Sequence, residues 1–106
     1  MSPMREIQAC RIEEIGDGAA RRLTVGGRPL ALVRLGERVF ACLDSCPHKV
    51  GFLSEGQVSA RRGEVICPWH RFRFDLETGA SVTNPELKVP TFRTRIDEGR
   101  VLVEFP

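Results

Sequence analysis

Apolar positions along this chain recur in short blocks separated by glycine and proline, and no block carries the period of a long helix. Residues 5–12 alternate loosely, with Ile7 and Ala9 along one face and Arg11-Ile12 at the edge, until Gly16-Asp17-Gly18 interrupts them. Arg22-Leu23-Thr24-Val25 runs into Gly26-Gly27, a two-residue hairpin signal. Leu30-Ala31-Leu32-Val33-Arg34-Leu35 reads as a buried strand, which Gly36-Glu37 turns back onto Val39-Phe40-Ala41-Cys42-Leu43. These two strands form the platform from which a loop over residues 44–56 departs. Val58 and Glu64-Val65-Ile66 give short strands around a turn at Arg61-Arg62-Gly63. A second loop covers residues 67–70, and Phe72-Arg73-Phe74-Asp75 then alternates as a strand with both phenyl rings on one face. Thr78-Gly79 is a turn, and Pro85 and Pro90 mark a connection outside regular sheet. Residues 93–96 and 101–105 close the chain as a hairpin over Asp97-Glu98-Gly99. The pattern predicts an all-β protein without repeats or low-complexity segments.

Length and charge narrow the picture. At 106 residues and 42% hydrophobic composition, residues 1–106 are expected to form one domain with one modest core. No stretch approaches the ~20 apolar residues of a membrane span, and the start lacks the charged-then-apolar build of a secretory signal. A cytoplasmic protein with no membrane partner is expected. The net charge of +2, with one Trp and no Tyr, gives no basic-aromatic array for nucleic acid. No glycine-rich nucleotide fingerprint follows a strand, so NAD or flavin binding of the Rossmann kind is not expected.

The chemistry concentrates in the two loops. Cys46-Pro47-His48 and Cys67-Pro68-Trp69-His70 each pair one thiol with one imidazole, and the chain has no other histidine. Four such donors divided between two loops suit a metal centre. Tetrahedral zinc accepts sulfur and nitrogen ligands, but zinc fingers usually gather the cysteines on one arm and the histidines on the other. A [2Fe-2S] cluster accommodates mixed arms, with two thiolates on one iron and two imidazoles on the other. Zinc, and satisfied core histidines beside inert cysteines, are the alternative readings. The other two cysteines, Cys10 and Cys42, sit in apolar strand-like surroundings and read as small buried hydrophobes rather than as a disulfide.

Cys46-Pro47-His48, followed by Cys67-Pro68-Trp69-His70-Arg71-Phe72-Arg73-Phe74, resembles the Rieske iron–sulfur motif. Leu53-Ser54-Glu55-Gly56 after the first arm and Asp75-Leu76-Glu77-Thr78-Gly79 after the second extend the likeness, as do the flanking strands. The resemblance implies the Rieske fold, an antiparallel barrel-like base carrying a small cluster-binding subdomain of two loops at about residues 44–75. It implies one [2Fe-2S] cluster, with Cys46 and Cys67 on the inner iron and His48 and His70 on the outer one. Two ferric ions, two sulfides and two thiolates sum to zero charge, so such a centre accepts an electron more readily than an all-cysteine one, at about −150 to +300 mV. High-potential Rieske proteins have Ser and Tyr where this chain has Phe72 and Phe74, and a loop-joining disulfide at the positions of Gly51 and Trp69. Without them, the low end of that range is expected.

Many Rieske ferredoxins have glycine at the positions of Val50 and Arg71, so this chain departs from the common pattern there. The implied role is a one-electron carrier between a flavin-dependent reductase and a terminal oxygenase. The alternative is the fixed small subunit of an assimilatory nitrite reductase-like complex, docked on its large subunit. The aromatic-ring dioxygenases add an iron held by two histidines and a carboxylate, and no histidine remains here for one, so the chain is not expected to be an enzyme by itself. The isolated chain is expected to be a monomer. Lys49, Val50, Trp69 and Arg71, with Gly51 and Pro68 beside them, are the expected docking tip around the electron's exit.

Overall fold

The computed structural model describes residues 5–47, 51–69 and 71–105. Among these residues ten strands follow in chain order: β1 (Arg5–Arg11), β2 (Ala20–Val25), β3 (Arg28–Leu35), β4 (Arg38–Leu43), β5 (Gln57–Ser59), β6 (Glu64–Ile66), β7 (Arg73–Asp75), β8 (Thr91–Phe92), β9 (Thr94–Asp97) and β10 (Arg100–Phe105). Among the described residues the only helical elements are two 3-10 turns, Ile12–Glu14 and Leu53–Glu55. The all-β expectation holds.

Turn chemistry sets the hairpins. Gly26 and Gly27 both have positive φ, 60° and 79°, the conformation whose twist matches the strands it joins. Glu98 (φ 51°) and Gly99 (φ 79°) make the same kind of turn between β9 and β10. The strands form three antiparallel sheets, ordered β1-β10-β9, β2-β3-β4-β8 and β5-β6-β7. The base is therefore two sheets facing each other rather than one barrel closed by hydrogen bonds. The Thr94 hydroxyl donates to the Val39 carbonyl and stitches the edges of those sheets together. Two features were not legible in the sequence: the short strand β8, and the pairing of the first strand with the last, Arg5 opposite Phe105.

The two faces of β3 explain why it is apolar at every position from Leu30 to Val33. Successive side chains leave a strand on opposite faces. Leu30 and Leu32 enter a core in the base with Ile15, Val101, Val103 and Phe105. Ala31 and Val33 enter a second core with Cys46, Leu53, Cys67 and Phe74. β3 is thus a shared wall, and a one-residue slip would exchange the two sets of side chains. β4 divides likewise, with Val39 and Ala41 toward the base and Cys42 toward the second core. Cys10 belongs to the base core. Cys10 and Cys42 therefore lie in different cores, both free and buried, as the composition suggested.

This division makes a prediction. Leu32→Ala should cost about 2–5 kcal/mol of global stability by leaving a cavity in the base, with the visible spectrum of the holoprotein unchanged. Ala31→Leu, which overfills the second core, should cost about 1–3 kcal/mol and release iron faster on incubation with a chelator. Urea unfolding together with iron release measures both.

Candidate metal centre

Loop 44–56 begins where β4 ends, and a buried carboxylate closes it. Asp44, 1% exposed, accepts from the Ser54 N–H at 2.8 Å and from the Ser54 hydroxyl at 2.5 Å. It also accepts from Arg22 Nη1 at 3.0 Å, while its own N–H donates to the Pro29 carbonyl at 2.9 Å. The Arg22 guanidinium lies 4.2 Å over the Phe52 ring. One residue thus ties both ends of the loop to β2 and β3. Inside it, the Cys46 N–H donates to the Gly51 carbonyl at 3.0 Å. Leu53 plugs the loop into the second core, fully buried. Gly56 then passes so close to β6 that an added Cβ would stand 1.9 Å from the Ile66 carbonyl oxygen.

The second loop reverses between β6 and β7. Its Cys67 N–H donates to the Phe72 carbonyl at 2.8 Å. Arg71 adopts a left-handed backbone, φ 55°, to complete the reversal. That region costs a residue with a Cβ about 1–2 kcal/mol and costs glycine nothing, which is why many ferredoxins of the resemblance have glycine there.

The two loops bring Cys46 and Cys67 side by side. Both are buried, at 4% and 0% exposure, in the core that also holds Val65, Phe74 and Leu76. Burial and the contact with Cys46 push the Cys67 thiol up to about 11, against a smaller opposing effect of the Trp69 backbone N–H. Two soft donors facing each other in an apolar cradle, with a backbone N–H directed at one sulfur, fit a metal centre that binds them as thiolates. Cys42 differs: burial foremost, then the Asp44 carboxylate, pushes its thiol up to about 12, so it stays neutral. His48 and His70 lie outside the described residues, as do Lys49 and Val50.

Trp69 stands 58% exposed at the meeting of the loops. Its indole crosses Gly51 so closely that a Cβ there would be 2.4 Å from the ring's Cδ1. The positions that carry the disulfide in the high-potential proteins of the resemblance are therefore in contact, through an indole laid on a glycine. Phe74 is fully buried beside the cysteines, and Phe72 packs half-buried against the same core.

The match to known proteins runs along the same residues: the Rieske [2Fe-2S] domain corresponds to residues 5–93. The chain belongs to the Rieske [2Fe-2S] family. Its cofactor is accordingly one Rieske-type cluster. Among relatives of this family, ferredoxin CarAc of Metapseudomonas resinovorans is 34% identical over 100 residues, covering 92% of this chain and 91% of its own. The structure superposes on the ferredoxin in a complex of reduced oxygenase and oxidized ferredoxin of carbazole 1,9a-dioxygenase. There the TM-score is 0.81 at 31% identity, over 92% of this chain and 91% of that one. A protein of Mycobacterium tuberculosis described as an NADH-dependent nitrite reductase small subunit gives a TM-score of 0.90 at 26% identity, covering 99% and 98%. The Rieske fold expected from the two cysteine-histidine arms is thus the fold observed.

Asp44, Arg22 and Phe52 escaped the sequence reading. Only a polar residue ending an apolar strand just before Cys46, with Ser54 downstream, hinted at the buried carboxylate. The Trp69–Gly51 contact yields a prediction of its own. Gly51→Ala should push the indole off and cost about 1–3 kcal/mol, seen as increased acrylamide quenching of the chain's only tryptophan and a lower unfolding midpoint.

Proposed function

We propose that this chain is an electron carrier that takes one electron from a flavin-dependent reductase and delivers it to a terminal oxygenase. The observation that carries the reading is the pair of buried, adjacent cysteines where two short loops meet, in a chain that matches ferredoxins along nearly its whole length. In this reading Cys46 and Cys67 would hold one iron of the cluster, and His48 and His70 would hold the other. When bound, the cluster supplies a site that holds a single electron at moderately low potential. The protein supplies the rest. Leu53, Val65 and Phe74 keep water from the cysteine side, the Asp44 network fixes the first loop, and Trp69 holds the second against it. Lys49, Val50, Trp69 and Arg71 form the docking tip, with the exposed indole as its apolar centre and the two cations at its border. Border charges of this kind set the association rate more than the affinity. The carrier works in the cytoplasm and as a monomer.

A second reading is a fixed relay subunit of a nitrite reductase-like complex. It is supported by the 0.90 TM-score to the Mycobacterium tuberculosis protein over 99% of this chain. Size-exclusion chromatography separates the two, together with reduction by an NADH-linked flavin reductase and onward transfer to an oxygenase. A chain that co-purifies stoichiometrically with a large reductase subunit and stays oxidised with the oxygenase system would favour the relay.

The ligand set predicts a red-brown protein with about two irons and two acid-labile sulfides per chain. His48→Ala or His70→Ala should lose the cluster. Cys10→Ala or Cys42→Ala should leave the visible spectrum intact; colourless protein with one zinc per chain would refute the assignment. The potential follows from the missing hydroxyls and bridge, and voltammetry should give a midpoint near about −150 mV at neutral pH. Phe74→Tyr, which puts a hydroxyl beside the cysteines in the second core, should move it upward.

A further inference from the structure

Among the described residues, only Arg71 and Glu98 hold left-handed backbone without being glycine. Glu98 sits in a two-residue hairpin that demands it, in an exposed turn. Arg71 occupies a position where glycine would meet the same demand without strain, so its side chain is what the position gains. That side chain is exposed and makes no hydrogen bond or ion pair among the described residues. It borders a groove of about 460 Å³ whose walls also include Gln57, Ile66, Cys67, Pro68 and Arg73.

Arg73, half-buried on β7, is a second arginine lining this groove. Its nearest carboxylate oxygen, Glu64 Oε1, stands 3.6 Å away, beyond hydrogen-bond length, and that buried oxygen has no hydrogen-bond partner. Arg73 and Glu64 therefore form an ion pair without a hydrogen bond, and the Arg73 guanidinium donates no hydrogen bond among the described residues. Two arginines lining one groove suit a carboxylate, which accepts paired N–H bonds from guanidinium groups. Glu55 also borders the groove. Counting Glu55 and Glu64 against the two arginines leaves no net charge, so recognition depends on aimed donors and disfavours a dense polyanion. A glutamate side chain suits this best, since its methylenes can lie along Ile66 and Pro68 while its carboxylate reaches the arginines.

We propose that the groove is a subsite for one glutamate side chain of the redox partner, held by Arg71 and Arg73 beside the cysteine arm. The proposal rests on the electron-carrier reading and gives the partner's approach a second fixed point besides the exposed indole. A carboxylate seated there adds negative charge next to Cys67, so occupancy should lower the cluster's midpoint potential.

The test titrates the holoprotein at constant ionic strength with Nα-acetylglutamate α-amide while its midpoint is followed by voltammetry. The expected result is a saturable fall that the glutamine analogue does not cause. Its half-saturation should rise at least tenfold in Arg71→Gly and in Arg73→Gln. Arg71→Gly should at the same time melt at a higher temperature than wild type, because glycine relieves the backbone; weaker binding in a more stable protein is not what a purely structural arginine would give. No saturable shift in wild type, or unchanged half-saturation in both variants, overturns the subsite. Tighter binding of Nα-acetylalanine, which offers only a terminal carboxylate, overturns the side-chain assignment. Failure of the electron-carrier reading would show separately, as a holoprotein that takes no electron from the reductase while the titration still saturates.

Discussion

The arrangement of this protein depends on one buried carboxylate. Asp44 lies at the point where a sheet gives way to a cysteine loop, and burying its charge without partners would be costly. The chain answers with Arg22 from β2 and with both donors of Ser54 from the far end of the loop. A buried ion pair often contributes little net stability against an apolar alternative. What this one contributes is a unique geometry, because only one loop path brings Ser54 and Arg22 to the same two oxygens. Cys46 stands two residues beyond Asp44, so the position of the sulfur is inherited from this network.

The second organising fact is the division of β3 and β4 between two cores. A single strand pair supplies the wall of the base with Leu30, Leu32, Val39 and Ala41, and the wall of the metal centre with Ala31, Val33 and Cys42. On β3 the smaller side chains, Ala31 and Val33, face the cysteines, which leaves room for the two loops to fold inward. Packing in the base and packing around the cysteines are thus coupled through one register, and neither can shift without the other.

Much of this arrangement is legible in the sequence. The hairpin at Gly26-Gly27, the returning pair of strands around Gly36-Glu37 and the closing hairpin over residues 97–99 follow from turn chemistry, which is local. The cysteine arms were legible because paired ligand spacings are rare by chance. The closure of β1 on β10 was not, since nothing in residues 5–11 names a partner ninety-odd positions away. β8 was missed because two residues beside Pro90 carry no usable period. The Asp44 network was missed for a related reason: its three members are ordinary polar residues until the fold gathers them.

The indole resting on Gly51 has a consequence for where electrons can go. A sulfur–sulfur bridge at that contact would be a redox couple with a potential of its own, able to accept electrons meant for elsewhere and to open as it did so. An aromatic ring pressed on a backbone accepts none. Cys10 and Cys42 add no competing couple, being walled into separate cores. The clasp between the two loops contains no redox-active group, so it offers an arriving electron no site of its own.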